Sequence, residues 1–243
     1  MKSILLLGAS SDIAMSMAEV YAKKGYNILL AARSANRLRP FSNDLAIRNE
    51  IQSYLYEFDA LDYGSHDKLI QQLEYIPTIT AVVFGYLGDQ RVGEEEWSEC
   101  TKILETNYLA AVSITNNMAK IYERRGEGTI IGISSVAGDR GRQSNYLYGS
   151  AKAGFSAYLA GLRNRLFSKG VHVLTVKPGF VATQMTAHLD LPEKLTSSPE
   201  KVANTIYKAA LKKKNVLYVS SIWLFIMTVI RLIPEPIFKR LKM

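Results

Sequence analysis

The chain has 243 residues, 48% of them hydrophobic, and a net charge of +8. That length fits one large domain with a substantial core, and the single cysteine, Cys100, excludes an intrachain disulfide and any cysteine-built zinc cluster. Seven basic residues (Lys212, Lys213, Lys214, Arg231, Lys239, Arg240, Lys242) fall in 212–243 against Glu235 alone, so the charge belongs to the tail. A nucleic-acid binder would carry a basic stripe on its body and a recognition motif, and neither is present.

In chain order, Ile4–Leu7 is apolar and meets Gly8 at once. The run is too short for a secretory leader and reads as a first strand of a cytoplasmic protein. Strands are expected at 3–7, 26–31, 52–57, 80–84, 128–133, 171–176 and 216–219. Helices are expected near 12–24, 43–49, 65–75, 95–122, 146–168 and 199–211, the last capped by Ser198 with Pro199 at its first position. Strands that alternate with helices imply a parallel sheet covered on both faces, and runs such as Ala81–Phe84 are apolar without alternation, as doubly covered strands are. The expected fold is α/β, a doubly wound parallel sheet of Rossmann-like type over 1–220, with an apolar and basic tail at 221–243.

After the first strand, Gly8 permits a tight turn, and the small residues Ala9, Ser10 and Ser11 let a pyrophosphate approach backbone amides at the helix start near Ile13. The usual fingerprint has three glycines. Asp12 and Ala14 stand in the later two places here. Ala14 still allows close packing, and the Asp12 carboxylate is expected to cap the helix. The second strand ends at Arg33 and Ser34 with no carboxylate for a ribose 2′-hydroxyl, so Arg33 is read as a grip for the 2′-phosphate of NADP. Asp59, after the third strand, can accept a bond from an adenine amino group, with Ala60 beside it.

Tyr148 and Lys152 are i and i+4, on one face of a helix. A nearby ammonium favours a phenolate and lowers the phenol pKa, so Tyr148 is expected to exchange a proton with a carbonyl oxygen that Ser135 hydrogen-bonds. The pattern Y-x-x-x-K alone is common by chance; its neighbours decide. His66, His172 and His188 are scattered, and no metal constellation is expected.

Together these elements resemble the short-chain dehydrogenase/reductase family along nearly the whole chain: Gly8, Asp59, Asn107 in a long fourth helix, Ser135 after the fifth strand, Tyr148 and Lys152, and a Pro178–Gly179 turn followed by Thr183. Ser134 is the other serine, but the family's spacing to the tyrosine selects Ser135. The resemblance implies hydride transfer between NADP(H), with NAD(H) second, and a carbonyl or carbinol carbon. It implies Tyr148 as general acid, Ser135 as carbonyl orienter, Lys152 as the partner of the phenol and the ribose hydroxyls, and Asn107 as holder of a water that links Lys152 to solvent. Pro178, Gly179, Val181 and Thr183 line the nicotinamide pocket, 183–197 forms a loop over the substrate, and the fourth and fifth helices make a homodimer or homotetramer. Where the family has Asn-Asn-Ala-Gly after the fourth strand, this chain has Phe84, Gly85, Tyr86, Leu87 and Gly88.

The pieces 58–62, 84–89, 107–113, 144–154, 184–189 and 231–241 are similar to one subgroup, the decaprenylphosphoryl-2-keto-pentose reductases, which implies a keto-sugar on a polyprenyl phosphate as substrate. The rival substrates are soluble carbonyls, a 3-oxoacyl or hydroxysteroid-like ketone. A non-enzymatic nucleotide-binding protein is the alternative of another class. In the tail, Ile222–Ile230 is apolar on every face of a helix but short of the ~20 residues that span a bilayer. Two readings stand: a helix buried in the core or a subunit interface, or a segment at 222–241 lying on the inner membrane surface, its basic clusters toward anionic lipid.

Overall fold

The structure is a computed structural model and describes residues 2–241. Seven parallel strands form one sheet in the order β3-β2-β1-β4-β5-β6-β9: β1 Ser3–Leu7, β2 Asn27–Ala32, β3 Ser53–Glu57, β4 Ile79–Val82, β5 Gly128–Ile133, β6 Val171–Lys177 and β9 Val216–Tyr218. The fold class expected from the sequence is the one observed. β1 shows why. Alternate side chains leave opposite faces of a strand, so Ile4 and Leu6 feed one core while Leu5 and Leu7 feed the other. On the first face lie α1 (Asp12–Ala22) and α8 (Pro199–Leu211), through Met17, Tyr21, Val202 and Ile206. On the second lie α3 (Tyr63–Gln72), α6 (Ala110–Arg125) and α7 (Tyr146–Phe167), through Leu69, Ile114, Met118, Phe155 and Leu159. α2 (Arg39–Asn49) connects β2 to β3. The strand order reverses between β1 and β4, and in open α/β sheets ligands bind outside the carboxyl ends of the strands at such a point.

Three departures from the expected elements bear on the site. The long fourth helix is broken into α4 (Gln90–Glu95) and α5 (Trp97–Leu104), followed by a π-helical turn at Glu105–Leu109 that leads into α6. It starts early because the Asp89 carboxylate accepts from the Arg91 and Val92 amides. It breaks at Glu96, whose backbone is extended. The π turn is centred on Asn107, and π turns concentrate at functional sites. Second, β7 (Phe180–Val181) pairs with β8 (Thr196–Ser197), tying both ends of the 183–195 loop together; two-residue strands leave no periodicity in a sequence.

Third, the tail is a docked element. α9 (Ser221–Leu232) buries Trp223 and Met227 against Val136, with Phe180 and Tyr218 around them. A Cβ on Gly179 would run into the Trp223 indole, whose Nε1 donates to the Leu195 carbonyl at 3.0 Å. Arg140 donates to the Ile230 carbonyl at 2.7 Å, pairs with Glu235 at 2.8 Å and stacks on Phe238 of α10 (Glu235–Phe238). Asp139, next in chain, accepts from Lys177 and from the Tyr218 hydroxyl. The opposite face of α9 stays in solvent, with Phe225 70% and Leu232 76% exposed. Among the described residues no helix is long and apolar enough to cross a membrane. Lys242 of the basic tail lies outside the described residues.

Candidate active site

At the sheet's switch point the β1–α1 turn is shaped by Gly8, at φ +88°, where a Cβ would lie 2.7 Å from Phe84. Glycine is needed both for the dihedral and for the approach. Phe84 thus fills the space under the turn, in the stretch where the family motif is absent. Ser11, not Asp12, caps α1: its hydroxyl accepts from the Ala14 amide at 3.3 Å. The expected cap role of Asp12 is corrected, because its carboxylate accepts instead from the Gln184 amide at 2.8 Å and ties the start of α1 to the loop after β7.

Gly8, Ser10, Ser11, Arg33, Asp59, Ala60 and Gly85 line one cleft of about 210 Å³, with Met185 reaching over it from the loop. These residues fit a dinucleotide: a turn that only glycine tolerates, the amino end of α1 behind it, and small side chains in front. Ile13 packs its side chain toward the core instead. Asp12 and Thr183 line a neighbouring open hollow of about 940 Å³. Val181 is buried, and the Pro178 carbonyl accepts from Val136 at 3.0 Å, which joins the end of β6 to the residue after Ser135. Sequence reasoning missed Glu57. Its two carboxylate oxygens accept from the Ser34 and Ala35 amides at 2.5 and 2.9 Å and hold the β2 loop, with Ser34 in the left-handed region.

Beside this cleft, β5 and α7 bring Ser135, Tyr148 and Lys152 together. Ser134 is used structurally; its hydroxyl donates to the Lys152 carbonyl at 2.9 Å and meets Ser156. Ser135 is the serine next to the phenol, and its hydroxyl favours the ionised form of Tyr148. Lys152 is only 3% exposed; its ammonium donates to the Ile133 carbonyl at 3.1 Å and stands 5.6 Å from the Tyr148 ring centroid. A Cβ on Gly85 would come to 3.0 Å from Asn107 Oδ1 and 3.4 Å from Lys152 Nζ, so these three groups converge. The Asn107 amide accepts from the Tyr86 amide and donates to the Tyr86 and Ile103 carbonyls. It braces the 84–86 turn.

The electrostatics differ from the expectation. Burial pushes the Tyr148 phenol up to about 12 and the Lys152 ammonium down to about 8. The expected lowering of the phenol by Lys152 is not found: dehydration of the phenol raises its pKa, and the opposing influence is the Ser135 hydroxyl. At neutral pH Tyr148 therefore carries its proton.

A second cleft, of about 620 Å³, opens from Tyr148 and is lined by Asn145, Phe180, His188, Arg91 and the leucines of the loop. His188 thus lies where the substrate loop was expected to place it. His66 is a buried structural histidine: one ring nitrogen meets the Ala60 carbonyl and the other the Ser113 hydroxyl, each at 3.0 Å. Burial lowers its pKa and keeps it neutral. Among the described residues no three His, Cys, Asp or Glu side chains gather to hold a metal ion. Tyr86 and Tyr146 spend their hydroxyls on Glu99 and Glu94.

Comparison with known proteins agrees with this geometry. The family model described as short chain dehydrogenase matches residues 2–194. An uncharacterized oxidoreductase of Mycobacterium tuberculosis is 35% identical over 241 residues, which are 98% of this chain and 96% of the relative. A ketoacyl reductase of Nostoc sp. is 29% identical over 226 residues, covering 90% of this chain and 78% of the relative. Among solved structures, a short-chain dehydrogenase from Sphingobium yanoikuyae in complex with NADPH superposes with a TM-score of 0.82 at 20% identity, over 90% of this chain and 87% of that one.

Proposed function

The chain belongs to the short-chain dehydrogenase family and is an NAD(P)-dependent oxidoreductase, and from that premise we propose that it reduces a ketone to an alcohol with NADP(H). The observation that carries this reading is the convergence of Ser135, Tyr148 and Lys152 between the cleft at the β1–α1 turn and a second, more open one. NADPH, when bound, supplies the hydride. The Ser135 hydroxyl donates to the carbonyl oxygen, and Tyr148 gives that oxygen its proton. Lys152 holds positive charge beside the phenol and donates to ribose hydroxyls. Asn107 keeps Gly85 close to Lys152 and, as the resemblance implies, holds a water that links Lys152 to solvent. Gly8, Ser10, Ser11, Asp59 and Ala60 take the adenosine and pyrophosphate half; Pro178, Gly179 and Thr183 face the nicotinamide half.

The preference for NADP over NAD rests on Arg33. It lines the cleft together with Asp59, and the Glu57 carboxylate beside the β2 loop end is already bonded to two amides. Replacing Arg33 with Ala is expected to raise the KM for NADPH at least ~10-fold and leave that for NADH within ~2-fold, since a charge-assisted bond to a 2′-phosphate is lost and nothing else. Equal losses for both nucleotides would refute the assignment.

The substrate reading is a keto-sugar carried on a polyprenyl phosphate, as in the keto-pentose reductase subgroup, taken at the inner membrane surface. It is supported by the outward face of α9, where Ile222, Phe225, Val229 and Leu232 are exposed beside Arg231, Lys239 and Arg240. An apolar helix face with flanking cations suits an anionic lipid interface. Because the other face of α9 is docked, deleting the tail would uncover Val136 and Phe180; the clean test is the pair Phe225→Glu and Leu232→Glu. Binding to vesicles containing phosphatidylglycerol is expected to fall at least ~10-fold, about 1 kcal/mol or more per apolar side chain withdrawn, with thermal stability kept. Vesicle binding equal to that of the unaltered protein would sink the membrane reading. A homodimer or homotetramer is the expected assembly, with Trp97 of α5, Leu109 of the π turn and Phe167 of α7 exposed.

A soluble 3-oxoacyl substrate is the second reading, favoured by the resemblance to the ketoacyl reductase of Nostoc. NADPH consumption, measured with a lipid-linked keto-pentose beside a panel of soluble ketones, separates the two. If no ketone is reduced, the reductase reading itself is wrong.

A further inference from the structure

α7 is 22 residues long and begins after Asn145. Asparagine is among the strongest N-cap residues, because its side-chain oxygen takes an otherwise orphan amide of the first turn. Here it does not do so. Asn145 makes no capping bond, and the second amide of the helix, that of Leu147, donates instead to Gln90 Oε1 on α4 at 3.0 Å. Gln90 is held for the purpose. Its Nε2 donates to Glu94 at 3.0 Å, and the same carboxylate oxygen accepts from the Tyr146 hydroxyl at 2.9 Å. α4 comes close enough because residue 93 is glycine; a Cβ there would lie 2.6 Å from Leu147 Cδ1. A neighbouring helix has therefore taken over the cap.

The consequence is a freed amide in the substrate cleft. Asn145 lines the same cleft as Tyr148, three residues before it. Its Oδ1 is shielded from solvent and has no hydrogen-bond partner among the described residues. An acceptor so placed costs free energy while it stays unpaired, and a substrate that brings no donor leaves it so. Sites of this kind discriminate strongly for the substrate that carries the hydroxyl.

We propose that Asn145 is a specificity-determining residue that accepts a hydrogen bond from a hydroxyl next to the reacting carbonyl, so that the substrate class is the hydroxyketones. Gln90 is the positioning residue that keeps Asn145 from capping α7. The proposal rests on the ketone-reductase reading and deepens it. A 3-oxoacyl chain or a steroid ketone with no hydroxyl beside its carbonyl offers Oδ1 no donor; an α-hydroxyketone does.

The test uses hydroxyacetone and 2-butanone, which differ by hydroxyl against methyl, with NADPH and the full chain. The hydroxyl also activates the ketone chemically, so the reading is the change in the ratio of the two kcat/KM values between proteins. Asn145→Leu is expected to lower that ratio at least ~10-fold, as loss of a bond to a buried polar group does. Asn145→Asp, which keeps an acceptor, is expected to retain most of it. Gln90→Leu, which frees the Leu147 amide to recapture Asn145, is expected to lower the ratio in the same direction. An unchanged ratio in Asn145→Leu, with reduction of both ketones still measurable, overturns the proposal and spares the reductase reading. No reduction of either ketone by the unaltered protein removes both.

Discussion

Replacing Tyr148 with Phe is expected to lower kcat for ketone reduction by about 10³-fold, roughly 4 kcal/mol of transition-state stabilisation, while the affinity for NADPH changes little. The phenol oxygen is the one group in the cleft that combines a proton at neutral pH with a place beside Ser135. Burial holds Tyr148 up at about 12, so it is fully protonated where the enzyme works, and the Ser135 hydroxyl offsets part of that rise. Phe keeps the ring and the packing but has nothing to give. Nucleotide fluorescence titration measures the binding half and NADPH consumption the chemical half. Retained turnover would remove Tyr148 from the acid role; lost binding with lost turnover would mean a collapsed cleft rather than a missing proton. The same geometry sets the pH dependence. Reduction needs the Tyr148 proton and a charged Lys152, whose pKa burial lowers to about 8. In the direction of reduction kcat/KM is therefore expected to be level near neutrality and to decline as pH rises past about 8.

Much of this site was legible in the chain because its parts are fixed by local rules. The i and i+4 spacing of Tyr148 and Lys152 needs only a helix, and the placement of Ser135 needs only that β5 end where its apolar run ends. Gly8 is legible because a turn between a buried strand and a helix demands a residue with φ near +88°. What was not legible depends on pairs far apart in sequence. Asp12 looks like a cap, yet its partner is the Gln184 amide 172 residues away. Glu57 looks like the polar end of a strand, yet it shapes the loop at Ser34. The Trp223 indole sits against Gly179 and bonds Leu195; an apolar nonapeptide in a tail does not announce which of its faces is spoken for. The π turn at Asn107 is hidden for a related reason. Its sequence is ordinary helix, and the extra residue is accommodated only because the Asn107 amide has Tyr86 and Ile103 to bond.

Lys152→Met is expected to abolish most of the activity and yet to raise the stability of the protein, and the two effects have one origin. Lys152 is buried, and among the described residues its ammonium has one hydrogen-bond acceptor, the Ile133 carbonyl. Dehydration without full compensation disfavours the charged form, which is why its pKa falls from 10.5 to about 8. Below pH 8 both the folded and unfolded chains carry the proton, and the folded one bears the whole penalty. Between about 8 and 10.5 the folded protein has released the proton while the unfolded chain keeps it, so stability rises with pH across that window; above it the penalty is gone. At ~1.4 kcal/mol per pH unit the full effect is roughly 3 kcal/mol, and a methionine that fills the same space without charge recovers on the order of 2 kcal/mol at pH 7. For a chain of this length that is about 4–8 °C in Tm. Thermal unfolding of the two proteins without nucleotide is expected to show the variant ahead at pH 7 and the gap narrowing as pH approaches 10. A variant less stable at pH 7, or a gap independent of pH, would show that the ammonium is not a strained charge. The cost then has a function: a lysine held dry at the bottom of the cleft is short of hydrogen-bond partners until ribose hydroxyls provide them, so part of the affinity for nucleotide is set aside in the folded protein beforehand.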